Sequence, residues 1–264
     1  MKHIIQFSGG KDSTALVLWA KENLPEFTAV FCDTGWEHPL TYEYIERINQ
    51  AQLGGKLVTL ASEGMPSLVT RKQRVPSTHA RFCTQELKVK PFMEWLSTVD
   101  DEREVYQGIR ADESVSRRMM GKRIWSDDFD CYISRPLFEW TVDDVFDIHA
   151  RHGLEPNPLY KLGAARAGCF PCIMVNKSEL RRLSDTLPEV WERASNMESY
   201  AGRSFFKPDY IPARFHSGFD PKSGKSFPTV DDVRRYVTTL DDVQIRMFDR
   251  CDDGGCLSVY NLCE

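Results

Sequence analysis

The residues best suited to chemistry lie near the start of the chain, directly after the apolar run 3–7. In order, they are Ser8, Gly9, Gly10, Lys11, Asp12, Ser13 and Thr14. Two glycines between an apolar run and a helical pattern predict a strand, a tight turn with positive φ at both glycines, and a helix start. Backbone N–H groups and the helix dipole attract anions there, so the segment is predicted to bind phosphate. Its spacing is not the Walker A pattern G-x-x-x-x-G-K-[ST].

Short apolar runs alternate with helical patterns through the first half of the chain. Strands are predicted at 4–7, 27–32, 56–60 and 104–109, and helices at 14–23, 39–52 and 89–98. This alternation predicts βαβ units and therefore an α/β fold with a parallel sheet. Later helices are predicted after the N-caps Thr141 and Thr229 and at 178–184 and 187–200, with a loop-rich stretch at 203–227. We expect a nucleotide-binding domain at 1–175 and a mostly helical, loop-rich extension at 176–264.

Two further polar segments follow predicted strands. Residues 33–35 end the second strand, and residues 108–117 follow the fourth. Because ligands of a parallel sheet bind outside the carboxyl ends of its strands, both segments are expected to converge on the phosphate-binding turn. Arg110 and Arg117 suit bidentate phosphate binding, and the alternative for them is ion pairing with the acidic residues beside them.

The chain has eight cysteines. Cys169 and Cys172 form a Cys-x-x-Cys pair, a spacing that suits a metal, an iron–sulfur cluster or a redox pair. Cys32 and Cys131 lie among apolar or aromatic residues and are predicted to be part of the core. Three more cysteines stand on a polar tail, and they are Cys251, Cys256 and Cys263.

Several ordered motifs carry a family resemblance. Residues 8–13 match SGGxDS, the PP-loop signature of the adenine-nucleotide alpha-hydrolase superfamily. Later segments match one family within that superfamily. They are DTGWEHP at 33–39, GIRADES at 108–114, PLFEWTVDDV at 136–145, and NPLY followed by GCFPC at 157–172. The chain resembles the PAPS reductase (phosphoadenosine phosphosulfate reductase) family, above all its phage-encoded members and the related DNA-phosphorothioation proteins. The resemblance covers about residues 3–175 and implies a Rossmann-like sheet of the HUP type with helices on both faces.

The resemblance leaves the reaction open. Members with a complete PP-loop split ATP between the α and β phosphates, whereas sulfonucleotide reductases usually lack the Lys-Asp pair and attack the sulfur of PAPS or APS. This chain keeps Lys11 and Asp12, and it has one cysteine, Cys83, where the reductases carry two. We therefore favour ATP-dependent adenylation of an acceptor followed by sulfur transfer over reduction of a sulfonucleotide to sulfite. A non-catalytic nucleotide-binding subunit is the third alternative.

The resemblance also implies a set of site residues. Lys11 would offset charge on the leaving pyrophosphate, and Asp12 would help to hold Mg²⁺. The implied catalytic residues are Lys11, Asp12, Arg110 and Cys263. The implied nucleotide-binding residues are Ser8, Gly9, Gly10, Lys11, Asp12, Ser13, Thr14, Asp33, Thr34, Gly35, Gly108, Arg110, Glu113, Ser114 and Arg117.

The predicted metal site combines the Cys-x-x-Cys pair with Cys83, the cysteine at the position that the family uses. A 4Fe–4S cluster is our first expectation and zinc the second, and either needs a fourth ligand. We rank Cys263 slightly above Cys256 for that ligand. Because sulfonucleotide reductases carry a nucleophilic cysteine near the C-terminus, the resemblance also allows a catalytic tail cysteine.

Composition limits the partners. The net charge is −5 over 264 residues, so no global basic field indicates nucleic acid, although a nucleic-acid acceptor and a sulfur-donor protein remain expected partners of a thiolation enzyme. No apolar run reaches membrane-spanning length, and the chain starts directly in its first strand. We expect a cytoplasmic protein, in the host cytoplasm if it is phage-encoded, that binds an adenine nucleotide and no membrane. The sequence leaves the oligomeric state open.

Overall fold

The structure of the protein, a computed structural model, describes residues 1–240 and residue 244. Its strands are β1 (Lys2–Phe7), β2 (Thr28–Asp33), β3 (Val58–Ala61), β4 (Arg103–Tyr106), β5 (Arg123–Ser126), β6 (Cys131–Ser134), β7 (Gly218–Asp220) and β8 (Lys225–Phe227). One described sheet has the order β3-β2-β1-β4-β6-β5, with parallel pairs except between β5 and β6. The predicted α/β fold with a mostly parallel sheet is confirmed, with an antiparallel edge strand in addition.

Helices connect the strands and form most of the second half of the described chain. They are α1 (Lys11–Asn23), α2 (Pro39–Leu53), α3 (Met65–Lys72), α4 (Phe82–Thr84), α5 (Lys90–Leu96), α6 (Val115–Arg118), α7 (Val142–Arg151), α8 (Lys177–Thr186), α9 (Glu189–Ala201) and α10 (Val230–Thr238). A π-helical turn at Gln85–Val89 joins α4 to α5. Among the helices of the described residues, none combines the length and apolar character needed to cross a bilayer.

Both faces of the sheet are covered, as predicted. Side chains alternate along β1, so Ile5 and Phe7 pack with α1 and α7 on one face. Ile4 packs on the other face against α5, where Phe92 is fully buried. The carboxyl ends of β1, β2 and β4 therefore open at one edge, between the two helical layers.

A third core joins the two predicted parts of the chain. Trp36, Met65 and Leu87 share one buried apolar cluster with Leu180 and Trp191 from the helical extension. The extension therefore packs against the segments that follow β2 and β3. The domain boundary at residue 175 stays a prediction.

Helix capping follows the sequence signals in the second half. The Thr141 hydroxyl accepts from the Asp144 N–H at 3.2 Å, and the Asp144 carboxylate accepts from the Thr141 N–H at 2.7 Å. The predicted cap at Thr229 is formed in the same way with Asp232. The stretch predicted as loops at 203–227 includes the hairpin of β7 and β8.

Candidate functional site

The turn predicted to bind phosphate, residues 8–14 and called the phosphate-binding turn below, connects β1 to α1 as predicted, but its two glycines differ. Gly9 has φ of +77°, and a Cβ there would lie 2.8 Å from Cγ1 of Ile45, so both backbone and space require glycine. Gly10 is extended at φ of −81°, so the predicted positive φ is wrong for that residue. Within the turn, the Ser8 and Ser13 hydroxyls lie 3.0 Å apart, and Ser13 also donates to the Gly10 carbonyl at 3.1 Å.

Asp12 pairs with two cations. Its carboxylate is fully buried and accepts from Nε of Arg110 at 2.5 Å and from Nζ of Lys11 at 2.6 Å. Arg110 follows β4 and is itself 4% exposed. Two segments 98 residues apart in sequence therefore meet through one buried carboxylate. The predicted convergence on the turn is thus observed for the segment after β4.

The segment after β4 is held by its own polar residues. The Glu113 carboxylate accepts from the Arg110 N–H at 2.9 Å and from Nη1 of Arg117. The Ser114 hydroxyl accepts from the Arg117 N–H at 3.2 Å. A Cβ on Gly108 would lie 2.9 Å from the Asp12 carbonyl oxygen, so this glycine allows the segment to lie directly against the turn. The ion-pairing alternative is observed for both arginines, since Arg117 pairs with Glu113 and Arg110 lies 3.8 Å from Asp112. Phosphate binding by Arg110 and Arg117 stays a prediction.

The motif after β2 forms a separate hydrogen-bond cluster. Asp33 accepts from the Gly35 N–H at 2.8 Å and from the Tyr42 hydroxyl at 2.7 Å. Thr34 donates through its hydroxyl to Glu37 at 2.7 Å, and Tyr42 also donates to Glu37. Burial and the two carboxylates raise the pKa of Tyr42 far above its usual value, so its hydroxyl stays protonated and donating.

The NPLY segment contacts the turn from the other side, a role that its motif alone did not reveal. Asn157 donates from Nδ2 to the Gly9 carbonyl at 3.1 Å. The Tyr160 hydroxyl accepts from the Lys11 N–H at 3.0 Å, and His149 Nε2 lies 2.9 Å from the Lys11 carbonyl. One of the helix N-terminal donors expected to face phosphate is therefore bound to a protein hydroxyl here.

The three cysteines predicted to bind metal line one largely apolar pocket. Cys83, Cys169 and Cys172 surround it together with Trp36 and Met197, among others. None of the three belongs to a disulfide within the described part of the chain. Burial raises the pKa of the Cys169 thiol, and the charge of Lys88 opposes that rise. The donor chemistry fits a thiolate-bound iron–sulfur cluster or zinc.

The thiols do not yet form a closed ligand set. Among residues 1–240 and 244, no group of three or more His, Cys, Asp or Glu side chains is placed to hold a metal ion. The predicted fourth ligands, Cys263 and Cys256, and the predicted catalytic role of Cys263 lie outside the described residues. Cys32 and Cys131 are buried in β2 and β6, as expected of core residues.

Lys88 connects the two sites, and the sequence analysis did not single it out. Its side chain lies on the π-helical turn, is 5% exposed, and lines both the cysteine pocket and the cleft beside the phosphate-binding turn. Glu37 lines the same cleft, and its Oε1 lies 3.9 Å from Sγ of Cys169. The spacing of a lysine five residues after Cys83 on one helical segment is the signal that points to it.

Comparison with known proteins identifies the family. Residues 2–175 match the model of the phosphoadenosine phosphosulfate reductase domain. The chain therefore belongs to the phosphoadenosine phosphosulfate reductase family, and the sequence resemblance is confirmed.

Relatives and a solved structure agree with this assignment. A 37.8 kDa protein of Escherichia phage 186 is 33% identical, and the match covers 89% of this chain and 85% of that protein. The adenosine 5′-phosphosulfate reductase of Streptomyces coelicolor is 30% identical over 58% of this chain, which spans less than two thirds, 64%, of that enzyme. The phosphoadenylyl-sulfate reductase of Candida auris has the same fold, with a TM-score of 0.51 at 15% identity, covering 64% of this chain and 82% of that one.

Proposed function

We propose that the protein binds ATP on the PP-loop, cleaves it between the α and β phosphates to adenylate an acceptor, and then supports sulfur transfer to that acceptor. The observation that carries the proposal is the buried Asp12 carboxylate with Lys11 and Arg110 on a complete PP-loop. This cluster lies beside the cysteine pocket, and Lys88 lines both that pocket and the cleft beside the phosphate-binding turn. A nucleotide bound at the turn and a sulfur atom held in the cysteine pocket can therefore take part in one reaction.

The charges of the loop suggest how ATP is activated. Lys11 leaves the Asp12 carboxylate to pair with the phosphates and offsets the charge that develops on pyrophosphate. Arg110 stays on the other carboxylate oxygen and fixes its position. The freed oxygen of Asp12 then joins phosphate oxygens in holding Mg²⁺, an ion that proteins commonly bind through one or two carboxylates plus substrate phosphates.

The chemistry balances as three displacements. An acceptor oxygen attacks the α phosphorus and pyrophosphate leaves, which converts that oxygen into an AMP leaving group. The outer sulfur of a persulfide on a donor protein then attacks the acceptor carbon, and AMP departs with the oxygen. A second thiol of the donor attacks the inner sulfur, which leaves the outer sulfur on the acceptor and the donor oxidised to a disulfide. Cys83, Cys169 and Cys172 would hold a 4Fe–4S cluster, with Cys263 or Cys256 as the fourth ligand, and the cluster when bound would keep sulfur beside the activated acceptor. Nucleic acid is the proposed acceptor, and the proposed location is the cytoplasm.

A second candidate is reduction of a sulfonucleotide to sulfite. The Streptomyces coelicolor relative is named for that reaction, and its match at 30% identity favours this alternative. In this case the loop would hold the nucleotide phosphate, and a tail cysteine, Cys263, would attack the sulfur. The complete Lys-Asp pair on the loop favours the ATP reaction instead.

Adenylate transfer tests the first proposal. The protein is purified without oxygen and incubated with Mg²⁺, ATP labelled at the α phosphate, and either total RNA or genomic DNA of the host. We expect label to become bound to one acceptor and to be released as AMP when a persulfide donor is added. The Lys11→Ala variant is the matched control, since it keeps the thiol pocket. ATP binding without transfer or pyrophosphate would support the non-catalytic subunit.

A further inference from the structure

The side chain of Gln6 stands out at the floor of the nucleotide cleft. Gln6 lies near the carboxyl end of β1, on the face of the strand that carries Ile4. It is 4% exposed, and within the described part of the chain neither Nε2 nor Oε1 has a hydrogen-bond partner. It lines the cleft together with Ser8, Ser13 and Gly108.

A buried amide of this kind is unfavourable for the fold. Buried polar groups in proteins are nearly always hydrogen-bonded, and a buried polar group without a hydrogen bond destabilises the folded state. An apolar residue such as Met would fill the same space in a strand without this penalty. A polar side chain kept at a cost to stability is expected where a ligand completes its bonds.

The other polar side chains of the cleft are already engaged. The Ser8 and Ser13 hydroxyls bond to each other, and the Glu37 carboxylate accepts from Thr34. Lys88 faces the cysteine pocket as well as the cleft. Among the described polar side chains of the cleft, Gln6 therefore has an unused donor, Nε2, and an unused acceptor, Oε1.

We propose that Gln6 reads the nucleoside part of the bound nucleotide. A carboxamide presents two donors and one acceptor, whereas phosphate only accepts and would leave Oε1 unpaired. The nucleoside carries groups that satisfy both ends, namely the adenine amine beside a ring nitrogen, or a ribose hydroxyl. Glutamine bonds the adenine edge in this way in nucleic-acid recognition. The inference rests on the proposed nucleotide binding and adds the residue that selects the nucleoside.

The test measures coupling between Gln6 and single groups of the ligand. Binding of ATP with Mg²⁺ to the anaerobically purified full chain, without acceptor, is measured by calorimetry for the wild type, Gln6→Met and the control Gln50→Met, whose side chain is exposed on α2. The same proteins are titrated with purine riboside triphosphate, which lacks the 6-amino group, and with 2′- and 3′-deoxyATP. We expect Gln6→Met to bind ATP about 10- to 100-fold more weakly.

One analogue identifies the group that is read. In the wild type, the analogue lacking the amine or the one lacking a hydroxyl binds about 10- to 100-fold more weakly than ATP, and this difference disappears in Gln6→Met. The thermal midpoint of Gln6→Met should equal or exceed that of the wild type.

The inference is overturned if Gln6→Met binds ATP with wild-type affinity, or if no analogue binds the wild type more weakly than ATP. The second outcome needs no variant, so it holds even if Gln6→Met does not fold. A wild type that binds no ATP but binds a phosphosulfate nucleotide contradicts the proposed function instead, and the Gln6 comparison is then made with that nucleotide.

Discussion

The phosphate-binding turn and the cysteine pocket are built in opposite ways. The turn is a contiguous polar segment, residues 8–14, whose charges and hydroxyls already satisfy each other, with Asp12 bridging two cations. The cysteine pocket is largely apolar and is assembled from segments around residues 34, 83, 169 and 197. Its thiols share a space without forming a ligand set in the described residues.

This difference indicates what each site gains from its ligand. A preorganised polar site changes partners when nucleotide binds, since Lys11 can exchange a carboxylate for a phosphate. The thiol pocket gains a bound group that its side chains are not yet arranged to hold, so we expect metal binding there to be coupled to local ordering. Changes in the turn should therefore act on catalysis and affinity, and changes in the pocket on metal content.

Removing the loop lysine should give the largest effect. Lys11→Ala is expected to lower pyrophosphate release from ATP by about 10²- to 10³-fold, because a charge placed for the transition state is lost. Iron content should stay at the wild-type level. Lys21→Ala, at the far end of α1, should leave both unchanged, and normal pyrophosphate release by Lys11→Ala would remove this lysine from the mechanism.

Changes in the cysteine pocket should lower metal content and leave ATP affinity unchanged. Cys169→Ala is expected to lose most of the iron of anaerobically purified protein while ATP affinity measured by calorimetry stays within about twofold of the wild type. Cys131→Ala is the matched control, since that thiol is also buried but lies in β6. Among tail variants, Cys263→Ala should lose more iron than Cys256→Ala. Full iron in Cys169→Ala would contradict the ligand assignment, and stoichiometric zinc in place of iron would favour the structural-zinc alternative.

Contact between the turn and the segment after β4 can be tested with one methyl group. In Gly108→Ala the new Cβ would press on the Asp12 carbonyl, which lies 2.9 Å from its position, so the backbone of the turn must shift. We expect nucleotide affinity to fall about 10- to 100-fold. Gly54→Ala places its Cβ in open space at the end of α2, so its left-handed backbone at φ of +61° costs stability there but should leave affinity unchanged. Equal affinity for both variants would show that the turn does not need this close approach.

The smallest effect is expected far from both sites. Burial alone would raise the pKa of Asp232, but its carboxylate accepts from the Thr229 N–H at 3.0 Å and the Ser217 N–H at 2.7 Å, and these bonds lower the pKa below the usual 3.8. Asp232→Asn should therefore reduce the free energy of unfolding at pH 7 by about 1–3 kcal/mol.

The pH dependence of that loss has a defined sign. Because the folded-state pKa of Asp232 is lowered, its contribution is complete above 3.8 and is lost as the pH falls through the folded-state value. Denaturant unfolding of the wild type and Asp232→Asn should thus converge only in acid. A difference that stays constant down to the lowest pH would assign the effect to packing.

Local signals predicted more of the fold than of the site. The PP-loop between strand and helix and the caps at Thr141 and Thr229 follow from adjacent residues, and all three are present. The edge pair β5 and β6 and the hairpin of β7 and β8 were missed because their short strands lack a clear alternating pattern. Gly10 was assigned a positive φ from residue type alone, although the turn needs it only at Gly9.

The parts of the site that sequence reasoning missed depend on distant contacts. Asp12 was read as a Mg²⁺ ligand, and nothing local shows that Arg110 also binds its carboxylate. Lys88 belongs to none of the motifs that carry the family resemblance, and its burial follows from the packing of the π-helical turn. Gln6 carries no motif at all, and only the folded cleft shows its unpaired amide.

The most direct test of the account compares two nucleotides in a single turnover. Anaerobically purified, iron-loaded protein is mixed with Mg²⁺ and host nucleic acid, either with ATP and a persulfide donor or with adenosine 5′-phosphosulfate and a dithiol reductant, and pyrophosphate, AMP and sulfite are measured. The account predicts AMP and pyrophosphate in equal amounts from ATP, and no sulfite from the phosphosulfate. Sulfite from the phosphosulfate with no pyrophosphate from ATP would contradict it and establish the reductase alternative.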